Sequence, residues 1–215
     1  MKTESKATLA EIREQLQRLW PEASYRRQRG QKGKTLTTPE LARLAPEVDL
    51  SGQIVEISGA LSSGKTSFLY RVLAGIVSPL RIAYFDFGHS FFPTAALQAG
   101  VDLGRLLLLR PTEQGKALRT AEQILAAEMA HCLVFDLVDA RTSLPRIVLH
   151  RLRQQLNRAD ALLLLLTERD HSLLPASLVS LRLEVQRLGR DKLTATVTRS
   201  RLSPEGITLE VDTDD

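Results

Sequence analysis

Residues 54–69 read Ile54-Val55-Glu56-Ile57-Ser58-Gly59-Ala60-Leu61-Ser62-Ser63-Gly64-Lys65-Thr66-Ser67-Phe68-Leu69. An apolar strand pattern runs into Gly-x-x-x-x-Gly-Lys-Thr and then into a helical pattern, the order that a phosphate-cradling loop requires. Gly59 and Gly64 permit backbone conformations that other residues resist, so successive N–H groups from Ala60, Leu61, Ser62, Ser63 and onward to Ser67 can converge on phosphates. The helix that opens near Lys65 adds its positive end. In that arrangement Lys65 reaches the β- and γ-phosphates and the Thr66 hydroxyl sits on Mg2+, so a nucleoside triphosphate with Mg2+ is the expected ligand. The competing reading is a glycine- and serine-rich turn that matches by chance, and both flanks argue against it.

The pattern downstream alternates. Strands are expected at 53–58, 81–86, 106–109, 132–136 and 161–167, each almost continuously apolar, as strands buried on both faces are. Helices are expected at 65–77, 91–99, 114–130 and 145–158. This alternation predicts an α/β fold with a mostly parallel central sheet. After about residue 178 the segments Leu181–Arg187, Leu193–Ser200 and Gly206–Val211 read as antiparallel strands extending the sheet, separated by turn sequences. Upstream, Leu9, Ile12, Leu16 and Leu19 recur at helical spacing over 8–20, and Pro21 ends the pattern. The expected organisation is a docking helix at 1–20, a basic linker at 21–47 and the nucleotide-binding core at 48–215.

Composition sets limits. The chain has 215 residues, 43% of them hydrophobic, which is enough for one domain with an appendage. No apolar run approaches the roughly 18 residues of a membrane span. A single cysteine, Cys132, excludes an internal disulfide framework, and the N-terminus shows no apolar signal core, so a cytoplasmic location is expected. The formal net charge is +4. Arg26, Arg27, Arg29, Lys32 and Lys34 crowd one short stretch, which reads either as a basic arm that tracks phosphates or as a solvated tether. The four histidines are scattered, without the spacing of a zinc site.

A magnesium-bound nucleotide needs an acidic partner. Asp136 ends the apolar strand His131-Cys132-Leu133-Val134-Phe135, at the carboxyl edge where open α/β sheets bind ligands.

These residues carry a resemblance. Val55–Thr66 with its Ser62-Ser63 pair, Asp86-Phe87-Gly88-His89 followed by Pro93 and Ala99–Leu103, and the strands Leu181–Val185 and Val197–Arg201 resemble the RecA recombinase core over about residues 48–211. The resemblance implies a RecA-like ATP-binding core, and it also marks departures. Gly88 stands where the recombinases carry the glutamate that activates water. Loss of a general base costs about 10²–10⁴-fold, so a weak ATPase is expected, with Glu168 as the carboxylate best placed to substitute. Glu168 ends the strand Leu162–Thr167, where RecA-like proteins place a γ-phosphate sensor; the alternative is a surface pair with Arg169. The two DNA-binding loops are reduced to about 139–145 and 169–177, so strand exchange is not expected, although Arg141, Arg146 and Arg169 could still touch DNA phosphates. The recombinase C-terminal domain is expected to be absent. Arg199 and Arg201 fall where lysines reach a neighbour's nucleotide, or else they are exposed strand residues.

A trimmed core of this kind is similar to the ImuA-type accessory proteins of SOS mutagenesis. That resemblance implies a regulatory role in translesion synthesis. It also implies a Y-family polymerase homologue or RecA as partner. The basic residues and shortened loops lead to the expectation that DNA is bound weakly or without sequence preference. Self-association through the N-terminal helix is expected on a different ground: its apolar stripe must dock on the core or on another subunit. A catalytically silent nucleotide-binding adaptor is the alternative.

Overall fold

A computed structural model describes residues 14, 36–46, 48–77, 79–138, 144–168 and 177–212. The N-terminal helix and most of the basic stretch lie outside these residues, as do Arg141 and Arg169.

The first strand, β1 (Ile54–Gly59), is buried along its whole length. It feeds the phosphate-type loop and helix α2 (Lys65–Ala74), which follows the short helix α1 (Pro39–Leu44). The chain continues through β2 (Ile82–Asp86), α3 (Pro93–Gln98), a 3-10 turn, β3 (Leu106–Leu109), α4 (Gln114–Ala126), β4 (Cys132–Asp136), α5 (Arg146–Ala159) and β5 (Leu162–Glu168). It closes with β6 (Leu181–Arg187), β7 (Lys192–Ser200) and β8 (Thr208–Asp212). All eight strands join one sheet in the order β3-β2-β4-β5-β1-β6-β7-β8.

The strand β5 shows how context overrides propensity. Leu162–Leu166 is a run of leucines, good helix formers, but the run is short. Asp160, in a left-handed conformation at φ 48°, separates it from α5. It pairs with β4 on one side and β1 on the other, both parallel. A short, wholly apolar segment is best buried there, with both faces covered.

Alternate residues feed opposite layers. Val55, Ile57, Leu164 and Leu166 pack with Phe68, Leu69, Val72 and Leu73 of α2 and with Leu41 and Leu44 of α1. Ile54, Leu163, Leu165 and Phe135 pack with Ala121 and Ile124 of α4 and Leu149, Leu152 and Leu156 of α5.

The mostly parallel sheet with antiparallel C-terminal strands is as expected, with one refinement. β6 enters parallel to β1, and the antiparallel part begins at the β6–β7 pair. The sequence signal for antiparallel strands was the half-exposed alternation. In β6 that alternation reflects a polar outer face rather than the direction of pairing. Helix α1 was not expected; six residues are too few for a period to show. Thr38 caps it, its side chain accepting from the Leu41 N–H, and Pro39 opens it. Leu36, Leu41 and Leu44 are buried, so the end of the stretch read as linker is built into the core. Among the described residues, no helix is long and apolar enough to cross a membrane.

Candidate nucleotide-binding site

The parallel register lines up the carboxyl edge. Asp86 of β2 lies opposite Asp136 of β4, Asp136 lies opposite Leu166 of β5, and Glu168 of β5 lies opposite Gly59 of β1. Asp86 and Asp136 therefore stand level on adjacent strands, and Glu168 lies two residues farther along β5, level with the start of the loop. This edge is where open parallel sheets take ligands.

The loop itself is tightly constrained. A Cβ at Gly59 would come within 2.4 Å of Ser63 Oγ and 2.6 Å of the Val185 carbonyl oxygen. Gly64, at φ 84°, starts α2 from the left-handed region, and a Cβ there would meet Leu193 Cδ2 at 2.3 Å. Ser62 also takes a positive φ of 60°. Adjacent left-handed and right-handed residues turn successive N–H groups to one side, which is how a loop makes an anion concavity.

Lys65 is 4% exposed, and its Nζ donates to the Ala60 carbonyl oxygen at 3.1 Å. The ammonium is thus folded over its own loop. Ser63 Oγ is buried with no hydrogen-bond partner among the described residues. An orphaned buried hydroxyl is costly and calls for a ligand or a water. A triphosphate fits these donors: it would accept from the loop amides and draw Lys65 away from Ala60. The exposed Leu61, Ser62 and Ser67 and the half-buried Thr66 complete the rim.

Asp136 is fully buried. Its Oδ2 accepts from the Tyr84 hydroxyl at 2.7 Å and the Ser90 hydroxyl at 2.9 Å, and its Oδ1 accepts from the Val138 N–H at 3.1 Å. Burial raises its pKa above the ordinary carboxylate value, the hydrogen bonds from Tyr84, Ser90 and Val138 oppose that rise, and the Asp86 charge adds to it. Burial also raises the Tyr84 phenol, with the Asp136 charge acting in the same direction. Asp86 is equally buried and holds the turn that follows it. Its Oδ1 accepts from Ser90 N–H at 2.8 Å, and its Oδ2 accepts from Phe91 N–H at 3.3 Å and Arg110 Nε at 3.1 Å. Among the described residues, no group of three or more His, Cys, Asp or Glu could hold a metal ion by itself. Asp136 and Thr66 suit Mg2+, which is commonly bound by one or two protein groups together with substrate phosphates.

The remaining candidates are dispersed. Arg146 is exposed at the start of α5. Arg199 lies opposite Arg182, which lies opposite Glu56, and Arg201 N–H donates to the Ser180 carbonyl oxygen at 3.0 Å. Both therefore sit toward the amino end of β1, Arg199 about 10 Å and Arg201 about 17 Å short of Gly59 along the strands, and about two strand spacings aside. At that separation from the loop of their own chain, contact with a nucleotide would have to come from a second copy. Arg26, Arg27, Arg29, Lys32, Lys34, Arg141 and Arg169 lie outside the described residues.

Several groups that shape the site escaped the sequence reading: Tyr84, Ser90 and Arg110 around the two aspartates, and the ion pair of Glu56 with Arg182. Glu56 is fully buried and Arg182 half-buried, Arg182 Nε lying 2.6 Å from Glu56 Oε2, while Thr167 Oγ1 donates to Glu56 Oε1 at 3.0 Å. The sequence signal for it was a lone glutamate inside an apolar strand. Arg153, on α5, donates to the Ser177 carbonyl oxygen at 3.2 Å. Burial, and then the Arg201 charge, lower its pKa.

A RecA-like core is the class that this sheet order and loop define. The family comparison agrees: residues 48–155 match the RecA N-terminal domain, and the chain belongs to that family. Among curated relatives it is 36% identical over 90 residues to Protein RecA of Picosynechococcus sp., covering 41% of this chain and 26% of that protein. It is 33% identical over 90 residues to Protein RecA of Ruminococcus albus, covering 41% and 23%. With Protein RecA of Bacteroides thetaiotaomicron the identity is 36% over 92 residues, covering 42% and 28%. The chain spans about a quarter of the length of the curated relatives it matches.

Proposed function

We propose that this chain is a RecA-like ATP-binding protein that holds Mg·ATP in the loop Gly59–Ser67 and serves as an accessory factor in DNA-damage-induced mutagenesis. The observation that carries the nucleotide reading is the loop itself: an orphaned Ser63 hydroxyl, Lys65 folded onto Ala60 and glycines hemmed in at 59 and 64. Lys65 would leave Ala60 to meet the β- and γ-phosphates, while the loop amides hold the remaining oxygens. Thr66 and Asp136 would hold Mg2+, which when bound neutralises charge that develops on the phosphates.

Turnover is expected to be slow. The turn after β2 offers Gly88 and no carboxylate free for proton transfer, because Asp86 is held by two main-chain amides and Arg110. Glu168, level with Gly59, is the group we assign to orienting water. Glu168→Gln is expected to lower any ATP turnover about 10²-fold, the low end for loss of a general base, with ATP affinity nearly unchanged. A phosphate-release assay paired with calorimetry reads both. Turnover unaffected by the substitution would remove Glu168 from the role.

The accessory role rests on the resemblance to ImuA-type proteins. We assign the docking of a Y-family polymerase homologue or RecA, and any self-association, to residues 1–20. DNA contact we assign to Arg26, Arg27, Arg29, Lys32 and Lys34 in the 21–47 segment, with Arg141, Arg146 and Arg169 beside the core at 48–215. Arg199 and Arg201 would act in trans in an assembly. Gly88 also favours a second reading, a nucleotide-binding adaptor without turnover. Phosphate release with and without single-stranded DNA separates the two. DNA-stimulated turnover lost in Lys65→Ala supports the ATPase, and ATP binding with no turnover supports the adaptor.

A further inference from the structure

The two hydroxyls on Asp136 Oδ2 are not equivalent. A carboxylate oxygen has about two lone-pair sites, and Tyr84 and Ser90 take both. Tyr84 is fully buried, and its ring lies 4.8 Å from that of Phe91. Ser90 is exposed at the surface of the turn, so water can replace its partner at little net cost. Of the two donors, Ser90 is the one that can let go.

Ser90 is also tied to the turn that it begins. Three consecutive amides are held by side chains: Ser90 N–H by Asp86 Oδ1, Phe91 N–H by Asp86 Oδ2 and Phe92 N–H by the Tyr70 hydroxyl oxygen at 3.1 Å. Tyr70 belongs to α2, one turn beyond Thr66. His89, just before, holds a positive φ of 56°. Phe92 then precedes α3 with 60% of its surface exposed. A turn with glycine at its centre and no carboxylate to offer the nucleotide is nonetheless wired to Asp136 on one side and to the loop helix on the other.

We infer that Ser90 is a positioning residue that couples Asp136 to the β2–α3 turn, so that occupation of the nucleotide site is reported at the surface by Phe92. Ser90 releases Oδ2 when Asp136 engages Mg·nucleotide. The turn loses one of its anchors, and Phe92 changes its surroundings. This rests on the nucleotide reading above and adds the part of the surface that changes with it.

The test uses the full chain with Phe92→Trp in a Trp20→Phe background, since Trp20 is the only natural tryptophan. The probe is Mg2+ with a non-hydrolysable ATP analogue, compared with the analogue in EDTA. The expected result is an emission change that requires Mg2+. Ser90→Ala is expected to abolish that change while affinity by calorimetry stays within about fivefold, the net worth of one hydrogen bond. Tyr84→Phe removes the other hydroxyl from the same oxygen but leaves the Ser90 link, so the change should survive. An emission change that persists in Ser90→Ala, or no change in the parent, overturns the coupling, as does equal loss in both variants. Calorimetry showing no binding would overturn the nucleotide reading itself, a different outcome from binding without an emission change.

Discussion

Lys65→Ala is expected to weaken Mg·ATP binding by about 10²-fold and to end any turnover. The side chain is 4% exposed and donates to Ala60 within its own loop, so its ammonium already lies in the concavity and needs only to exchange a carbonyl for a phosphate oxygen. Charge-assisted hydrogen bonds contribute about 1.5–3 kcal/mol each, and phosphates offer Lys65 more than one acceptor. The loop should keep its shape, because it is set by Gly59 against Ser63 and Val185 and by Gly64 against Leu193, none of which involves Lys65. Calorimetry on the folded variant checks this. An affinity within twofold of the parent would mean that the ammonium does not meet the nucleotide.

The largest stability effect is expected at Arg182→Met. Glu56 is completely buried in the middle of β1, with Arg182 on its Oε2 and Thr167 on its Oε1. Removing one partner of a buried pair leaves a charge without compensation and costs about 3–5 kcal/mol. For a chain of this size that corresponds to a fall in melting temperature of about 6–20 °C. Glu56→Gln with Arg182→Met removes both charges and should recover part of the loss, because a pair replaced together is often nearly neutral. Thermal unfolding followed by circular dichroism reads both. A single variant as stable as the parent would show that Glu56 is solvated or held otherwise. The pair bears on the site as well, since Thr167 immediately precedes Glu168 at the mouth of the loop.

What the sequence reveals of this molecule depends on how local the cause is. The parallel strands are legible because burial on both faces demands apolar runs; β4 and β5 supply them, and β1 does so around Glu56 and Ser58. The loop is legible because its chemistry lies within a few consecutive residues. The position of Asp136 is legible because it ends an apolar run, which places it at the carboxyl edge of β4. Its partners are not: Ser90 lies 46 residues from Asp136 and Arg110 lies 24 from Asp86, separations that no local pattern records. The direction of β6 is hidden for a similar reason. Alternation reports which face is wet, and the choice of β1 as a parallel neighbour is made by the whole chain. Helix α1 hides behind its brevity, being held by Thr38, Pro39 and two buried leucines rather than by a period. The positions of Arg199 and Arg201 follow from register, which places them beyond the reach of their own loop.

The central claim is that the loop Gly59–Ser67 binds a magnesium nucleoside triphosphate. Isothermal calorimetry of the full chain with Mg·ATP, at ligand concentrations into the millimolar range, tests it most directly. Saturable binding of one nucleotide per chain is expected, markedly weaker in Lys65→Ala. A folded protein that takes up no ATP under those conditions would contradict it.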